Sequence, residues 1–140
     1  MGEGYAAVHV WAIEEADVQK LVPEELASFL AVLESHDWSF DAFCDEFQWS
    51  FDEVGEIDED QRPAEIVAAW TKLQEAFSAA TKVGNSALSL SVLEHNQEDE
   101  GDRYDEVNGS FFCVDGMTVL SPAGEKFKDV VQECRFVTHH

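Results

Sequence analysis

Carboxylates are the side chains whose number and spacing carry the most chemical information in this chain. The 41 residues between Lys20 and Arg62 contain no lysine or arginine, and eleven acids lie between Glu34 and Asp60. Carboxylates can bind divalent cations, act as general acids and bases, or form a negative surface that meets a cationic partner. The acids are too numerous to single out one catalytic pair, so their spacing decides between these roles.

Three of these acids have the spacing of one helix face. Asp37, Asp41 and Asp45 recur every four residues, which places neighbouring carboxylates roughly 6 Å apart along a helix axis. Like charges at this spacing destabilise an isolated helix, whereas opposite charges stabilise it. A basic partner protein would relieve the repulsion, so we predict a partner-binding surface here. The predicted contact residues are Asp37, Asp41, Asp45, Glu46, Asp52, Glu53, Glu56, Asp58, Glu59, Asp60, Trp38 and Trp49.

The alternative is that these acids form a solvated face in a protein that is acidic throughout, while the tryptophans belong to the core. A second acidic cluster, Glu94 to Glu106, raises the question of a cation site. It lacks the alternating Asp pattern and the terminal Glu of a calcium-binding loop, and we predict an acidic hairpin loop instead.

Cysteine and histidine give no metal or catalytic motif. No pair among Cys44, Cys113, Cys134, His9, His36 and His95 has the close spacing of zinc ligands. Cys113 is a conceivable nucleophile, but it lies in an apolar run, and nearby carboxylates disfavour its thiolate. No glycine-rich phosphate loop occurs. We therefore predict no catalytic residue, no metal and no cofactor.

The overall charge excludes one class of function. Thirty acids against eight lysines and arginines give a net charge of −22, which repels DNA, RNA and anionic membrane surfaces. Direct binding of nucleic acid or membrane is thus not expected. The 45% hydrophobic content, with ten phenylalanines and four tryptophans, is too apolar for a disordered acidic tail. The length suits a single domain, residues 1–140.

Other features point to a cytoplasmic protein. The sequence has no run of 18 apolar residues and no signal-peptide pattern near Met1. Three widely spaced cysteines are typical of reduced thiols, and Cys44 and Cys134 are predicted to pack at apolar helical positions. His139 and His140 support no inference, and the oligomeric state is left open.

Periodic apolar residues predict the elements that would position the acidic surface. A strand is predicted over Tyr5 to Ile13, and helices over Glu14 to Val22, from Pro23 to about Ser35, from Ser39 (as N-cap) through Phe47, and from Pro63 to a stop at Gly84.

The C-terminal half is predicted to supply the remaining strands. We expect a strand over Ala87 to Glu94, a hairpin turning at Asp115-Gly116, a helix from Pro122 that carries Phe127, Val130, Val131 and Cys134 on one face, and a final strand over Arg135 to Thr138. The predicted class is α+β, with an antiparallel or mixed sheet of about four to five strands and a cluster of helices packed on it.

These observations lead to one functional expectation and two alternatives. We expect a non-enzymatic acidic module that binds a basic protein, with nucleic-acid-binding proteins as a candidate partner class and a nucleic-acid-mimicking inhibitor of phage or mobile-element type as a candidate role. The first alternative is a small enzyme or ligand-binding domain with an unrecognised pocket. The second is a housekeeping domain of a halophile, which should unfold at low salt.

Overall fold

The computed structural model of the chain describes residues 5–47, 62–95, 109–115 and 121–139. Five helices lie in these ranges: α1 (Glu15–Leu21), α2 (Pro23–Ser35), α3 (Phe40–Phe47), α4 (Ala64–Ala80) and α5 (Pro122–Lys126). The strands are β1 (Tyr5–Ile13), β2 (Ser89–His95), β3 (Gly109–Asp115) and β4 (Val131–His139). No helix in the described ranges is long and apolar enough to cross a membrane.

The strands form an antiparallel sheet in the order β2-β3-β1-β4. β1 pairs with β4 along its whole length, from Tyr5 opposite His139 to Ile13 opposite Val131. On its other side, β1 pairs with β3 through Trp11, Ala12 and Ile13. The predicted α+β class is confirmed, and so is the predicted first strand.

Helix α4 forms because its apolar residues follow one stripe. Ile66, Trp70, Leu73 and Phe77 are all buried, as the helical spacing predicted. The predicted end at Gly84 is wrong, because the helix ends at Ala80. Its C-terminus is capped by Thr81, whose Oγ1 donates to the Phe77 carbonyl at 2.9 Å.

Gly84 lies in a turn after α4 and does not directly end the helix, contrary to the prediction. Its φ of +63° lies in the left-handed region, which favours glycine because it lacks a Cβ. The backbone groups of Val83 and Ser86 bond to each other on either side of it. Gly84 and Asn85 thus form a two-residue turn that leads the chain from α4 towards β2.

The core lies between the helices and one face of the sheet. Its centre is an aromatic group in which the ring centroids of Phe29 and Phe43 are 4.8 Å apart and those of Phe43 and Trp70 are 5.0 Å apart. Phe112 of β3 joins this group, stacked at 6.3 Å from Trp70. Ring pairs at these distances add to the burial of their apolar area, so α2, α3 and α4 share one core with the sheet.

Two predictions for the C-terminal half are corrected. The helix that begins at Pro122 ends at Lys126, and Val131 to His139 form β4. Cys134 therefore lies in a strand and not on a helix face, because extended pairing with β1 takes precedence over the local apolar period.

The predicted hairpin of Phe111 to Val114 with Met117 to Leu120 is also wrong. Phe112, Cys113 and Val114 already pair with β2 on one side and β1 on the other. A strand has two edges, so no edge is left for a further partner. Residues 116–120 lie outside the described ranges.

Candidate functional site

Helix α3 separates apolar and acidic residues onto opposite faces. Phe43 and Cys44 are fully buried, whereas Asp41 and Asp45 are exposed. Phe40 and Phe43 fix the helix to the core through ring contacts with Phe112 and Trp70. The buried half of α3 therefore determines which way its two exposed carboxylates point.

The connection from α2 to α3 places a third acid beside this helix. Asp37 is exposed and has a φ of 61°, a left-handed conformation that Asp adopts more readily than most residues. Ser39 follows and caps α3, because its Oγ accepts a hydrogen bond from the Ala42 N–H at 3.0 Å. The sharp reversal and the cap bring Asp37 to the N-terminal end of α3.

Trp38 lies within the same connection. Its side chain is half-buried and packs against the core, with its ring centroid 6.4 Å from that of Phe47. The Trp38 ring therefore lies near the last residue of α3. Trp38 thus presents part of its ring to solvent while supporting the helix.

Arg62 holds the C-terminal end of α3. Its Nη2 donates to the Glu46 carbonyl oxygen at 2.9 Å, and its Cζ lies 4.2 Å from the centroid of the Phe47 ring. This arrangement combines a cation–π contact with a positive charge at a helix C-terminus. The guanidinium is therefore bound to a carbonyl and a ring, and the described contacts do not pair it with an α3 carboxylate.

The described ion pairs lie elsewhere on the molecule. Lys20 pairs with Asp17 within α1, and Lys128 pairs with Glu125, each at 3.6 Å. His36 Nε2 lies 2.7 Å from Glu65 Oε1 and links the end of α2 to the start of α4. Within the described ranges, then, no cationic side chain forms an ion pair with Asp37, Asp41 or Asp45.

The structure brings together five of the twelve predicted contact residues. Asp37, Trp38, Asp41, Asp45 and Glu46 lie on or beside α3, and Glu46 is half-buried. The other seven, Trp49, Asp52, Glu53, Glu56, Asp58, Glu59 and Asp60, lie outside the described residues. We call the exposed carboxylates of Asp37, Asp41 and Asp45 the α3 acidic face.

Two contacts near this face were not predicted from the sequence, that of Arg62 with the end of α3 and that of His36 with the start of α4. In the sequence, Arg62 marks the end of the stretch without cations, and His36 is considered only as a candidate zinc ligand. The last carbonyl groups of a helix have no hydrogen-bond donor within the helix. Arg62, the first cation after α3, can therefore be considered from the sequence as a donor to the end of that helix. The partner of His36, Glu65, is 29 residues away, and no local pattern indicates it.

The packing predicted for Cys44 is confirmed, because this residue is fully buried in α3. Cys44 and Cys113 are reduced and buried, and Cys113 lies in the middle of β3. Among the described residues, no group of three or more His, Cys, Asp or Glu side chains could hold a metal ion. The α3 acidic face consists of two carboxylates on α3 and one, Asp37, in the connection before it. Such a spread of carboxylates attracts positive charge over an extended surface.

Comparison of the chain with protein-family models, curated proteins and solved structures finds no match.

Proposed function

We propose that the protein is a non-enzymatic module that binds a basic protein through the α3 acidic face. The observation that carries this proposal is the combination of a firmly packed helix with exposed carboxylates that no described cation neutralises. A cationic partner would relieve the repulsion between Asp41 and Asp45, which lie one helical turn apart.

The net charge of −22 adds a long-range attraction to this local one. An acidic protein attracts a basic partner over distances of about one Debye length, roughly 10 Å at 0.1 M salt. Such attraction raises the association rate and gives specificity more than affinity. The half-buried ring of Trp38 lies beside the face. It can act as an apolar anchor, since buried aromatic side chains contribute most of the binding energy at an interface.

The candidate partner class is a protein with a nucleic-acid-binding site. Such sites present lysine and arginine side chains that contact phosphates. Rigid carboxylates on α3 would stand where those phosphates bind. The protein would then act as an inhibitor that mimics nucleic acid, a role that suits a phage or a mobile element.

Charge reversal on two helices tests the proposal. One variant carries Asp41→Lys and Asp45→Lys, and its matched control carries Glu24→Lys and Glu75→Lys, which are exposed acids of α2 and α4. Both variants change the net charge equally. Immobilised on beads at low salt, the control should retain the basic host proteins that wild type captures, and the α3 variant should lose them.

Equal loss in both variants would show that only net charge matters, and the α3 acidic face would not be the site. Circular dichroism spectra of both variants check that the fold is intact. A second step tests the partner class, because duplex DNA added in excess should release the captured proteins. Capture that resists DNA would exclude a nucleic-acid-binding site as the contact.

A further inference from the structure

The two edge strands of the sheet, β2 and β4, differ in their contacts with the rest of the protein. Near β2, side chains of helix α4 and of its cap residue Thr81 form hydrogen bonds with the backbone. Gln74 Nε2 donates to the Leu90 carbonyl at 2.9 Å, and Ser78 Oγ donates to the Leu88 carbonyl at 3.0 Å. The Leu88 N–H donates to Thr81 Oγ1 at 3.0 Å. One of these bonds satisfies a backbone group of β2 itself, at Leu90, and the other two satisfy those of Leu88 just before the strand.

The opposite edge is β4, which stands last in the strand order and pairs with β1 alone among the described strands. Its nine residues pair without interruption, so no bulge twists it away. Its sequence contains neither proline nor glycine. Natural proteins usually protect an exposed edge with short strands, bulges, proline or several charges. β4 is long, has no bulge in its pairing with β1 and no proline, and carries two charged residues of opposite sign, Glu133 and Arg135.

The charge around β4 is close to balanced, unlike that of the chain as a whole. Residues 126–139 hold three of the eight lysines and arginines, Lys126, Lys128 and Arg135, against two acids, Asp129 and Glu133. In a chain of net charge −22, a second copy can approach this nearly neutral segment with little local repulsion.

We propose that β4 pairs with β4 of a second copy of this chain, antiparallel and centred on Cys134, so that the two sheets become one. The two copies are related by a two-fold axis perpendicular to the sheet, so that corresponding faces of the two sheets lie on the same side. Such an axis passes between two copies of the same residue. Centring on Glu133 or on Arg135 would oppose like charges, which is destabilising. Centring on Cys134 places Glu133 of each copy opposite Arg135 of the other and Val131 opposite Val137.

The pairing has a consequence that can be trapped chemically. Residues directly opposite in antiparallel strands have Cα atoms about 4.5–5.5 Å apart, and disulfides form at Cα separations of about 4.4–6.8 Å. Added diamide would take two electrons and two protons from the two Cys134 thiols and leave one disulfide between the copies. Mass spectrometry of the digested dimer should find a peptide joined through Cys134 to itself.

Self-association measured by analytical ultracentrifugation provides the second test. Arg135→Glu and Glu133→Arg each oppose two like-charged pairs, and each should weaken dimerisation by about tenfold. The double variant with both changes restores opposite charges and should recover the wild-type association. Cys134→Ser should abolish the cross-link while leaving the dimer intact.

Three outcomes would overturn the proposal. The first is a wild type that stays monomeric at all concentrations, and the second is a double variant that dimerises as weakly as the single variants. The third is a cross-link that survives in Cys134→Ser. None of these measurements involves a basic partner, so the result is independent of the role proposed for the α3 acidic face.

Discussion

Helices α3 and α4 pack on the same core but present different charges to solvent. Each buries aromatic rings, and Phe43 of α3 and Trp70 of α4 contact each other. The exposed charges of α4 include Glu65, Lys72 and Glu75, so both signs occur. Those of α3 are Asp41 and Asp45, which are both negative.

This difference shows that the fold does not require an acidic helix at either position. Both helices are held by their buried residues, and the sign of the exposed charges is free to vary. The two helices also attach differently. Gln74 and Ser78 of α4 donate to the backbone at Leu90 of β2 and at Leu88 just before it, whereas α3 contacts β3 through the rings of Phe40 and Phe112. The charge of α3 is therefore separable from its packing, which favours a binding role for that charge.

The largest expected effect comes from removing a ring on which α3 depends. Phe43→Ala leaves a cavity among Phe29, Phe47 and Trp70, and it should lower the free energy of unfolding by about 3–5 kcal/mol. Phe77→Ala in α4 should cost a similar amount, because Phe77 is equally buried. Urea unfolding of both variants measures the two losses. A loss below about 1 kcal/mol in Phe43→Ala would mean that α3 is not part of the core.

A buried hydroxyl tests the polar attachment of α4. Thr81→Val keeps the shape of the side chain but leaves the Leu88 N–H without its acceptor, and it should destabilise the protein by about 1–3 kcal/mol. Thr71→Val is the matched control, since Thr71 is exposed on the same helix. Thermal unfolding should rank Thr81→Val well below this control. Equal stability of the two variants would show that the hydrogen bond contributes nothing.

The N-cap of α3 provides a smaller test. Ser39→Ala removes the acceptor for the Ala42 N–H and should cost about 1 kcal/mol. Ser28→Ala, at an exposed interior position of α2, should cost nothing because alanine has the higher helix propensity. If urea denaturation gives the same value for both, the α3 cap is not formed in solution.

The smallest effect concerns the charges and differs in sign between the helices. Asp45→Asn removes a negative charge from the C-terminal half of α3 and one like-charge pair with Asp41, and it should stabilise the protein by about 0.2–0.5 kcal/mol. Glu75→Gln removes the attraction between Glu75 and Lys72, which lie three residues apart on α4, and should destabilise the protein by a similar amount. Both effects should shrink in added salt. The same sign for both changes would remove the distinction between the two helices.

The sequence predicted those elements whose apolar residues repeat with one clear period. The stripe of α4, the proline start of α2 and the serine cap of α3 were all predicted because each depends on residues within a few positions of each other. The position of Asp41 and Asp45 on one helix was predicted for the same reason. The placement of Asp37 on that helix face was wrong, because Asp37 precedes α3 and has a φ of 61°.

Features that depend on distant pairing were not predicted. Val130 and Val131 fit a helical stripe as well as a strand, and only pairing with β1 makes Val131 the start of β4. The signal of Asp115-Gly116 was misleading because β2 and β1 occupy both sides of β3. Arg62 contacts Glu46 across 16 residues, so its support of α3 could be found only in three dimensions.

The position of β1 has a consequence for how the chain is made. β1 lies between β3 and β4, and both neighbours follow it in the chain after the whole of α1 to α4. A ribosome therefore releases β1 long before it releases either pairing partner, and closing such a long loop is slow. Helix α4 and β2, joined by the turn at Gly84, can dock during synthesis. The first strand must wait as an unpaired apolar segment until β3 emerges, and most of its length can pair only when β4 follows.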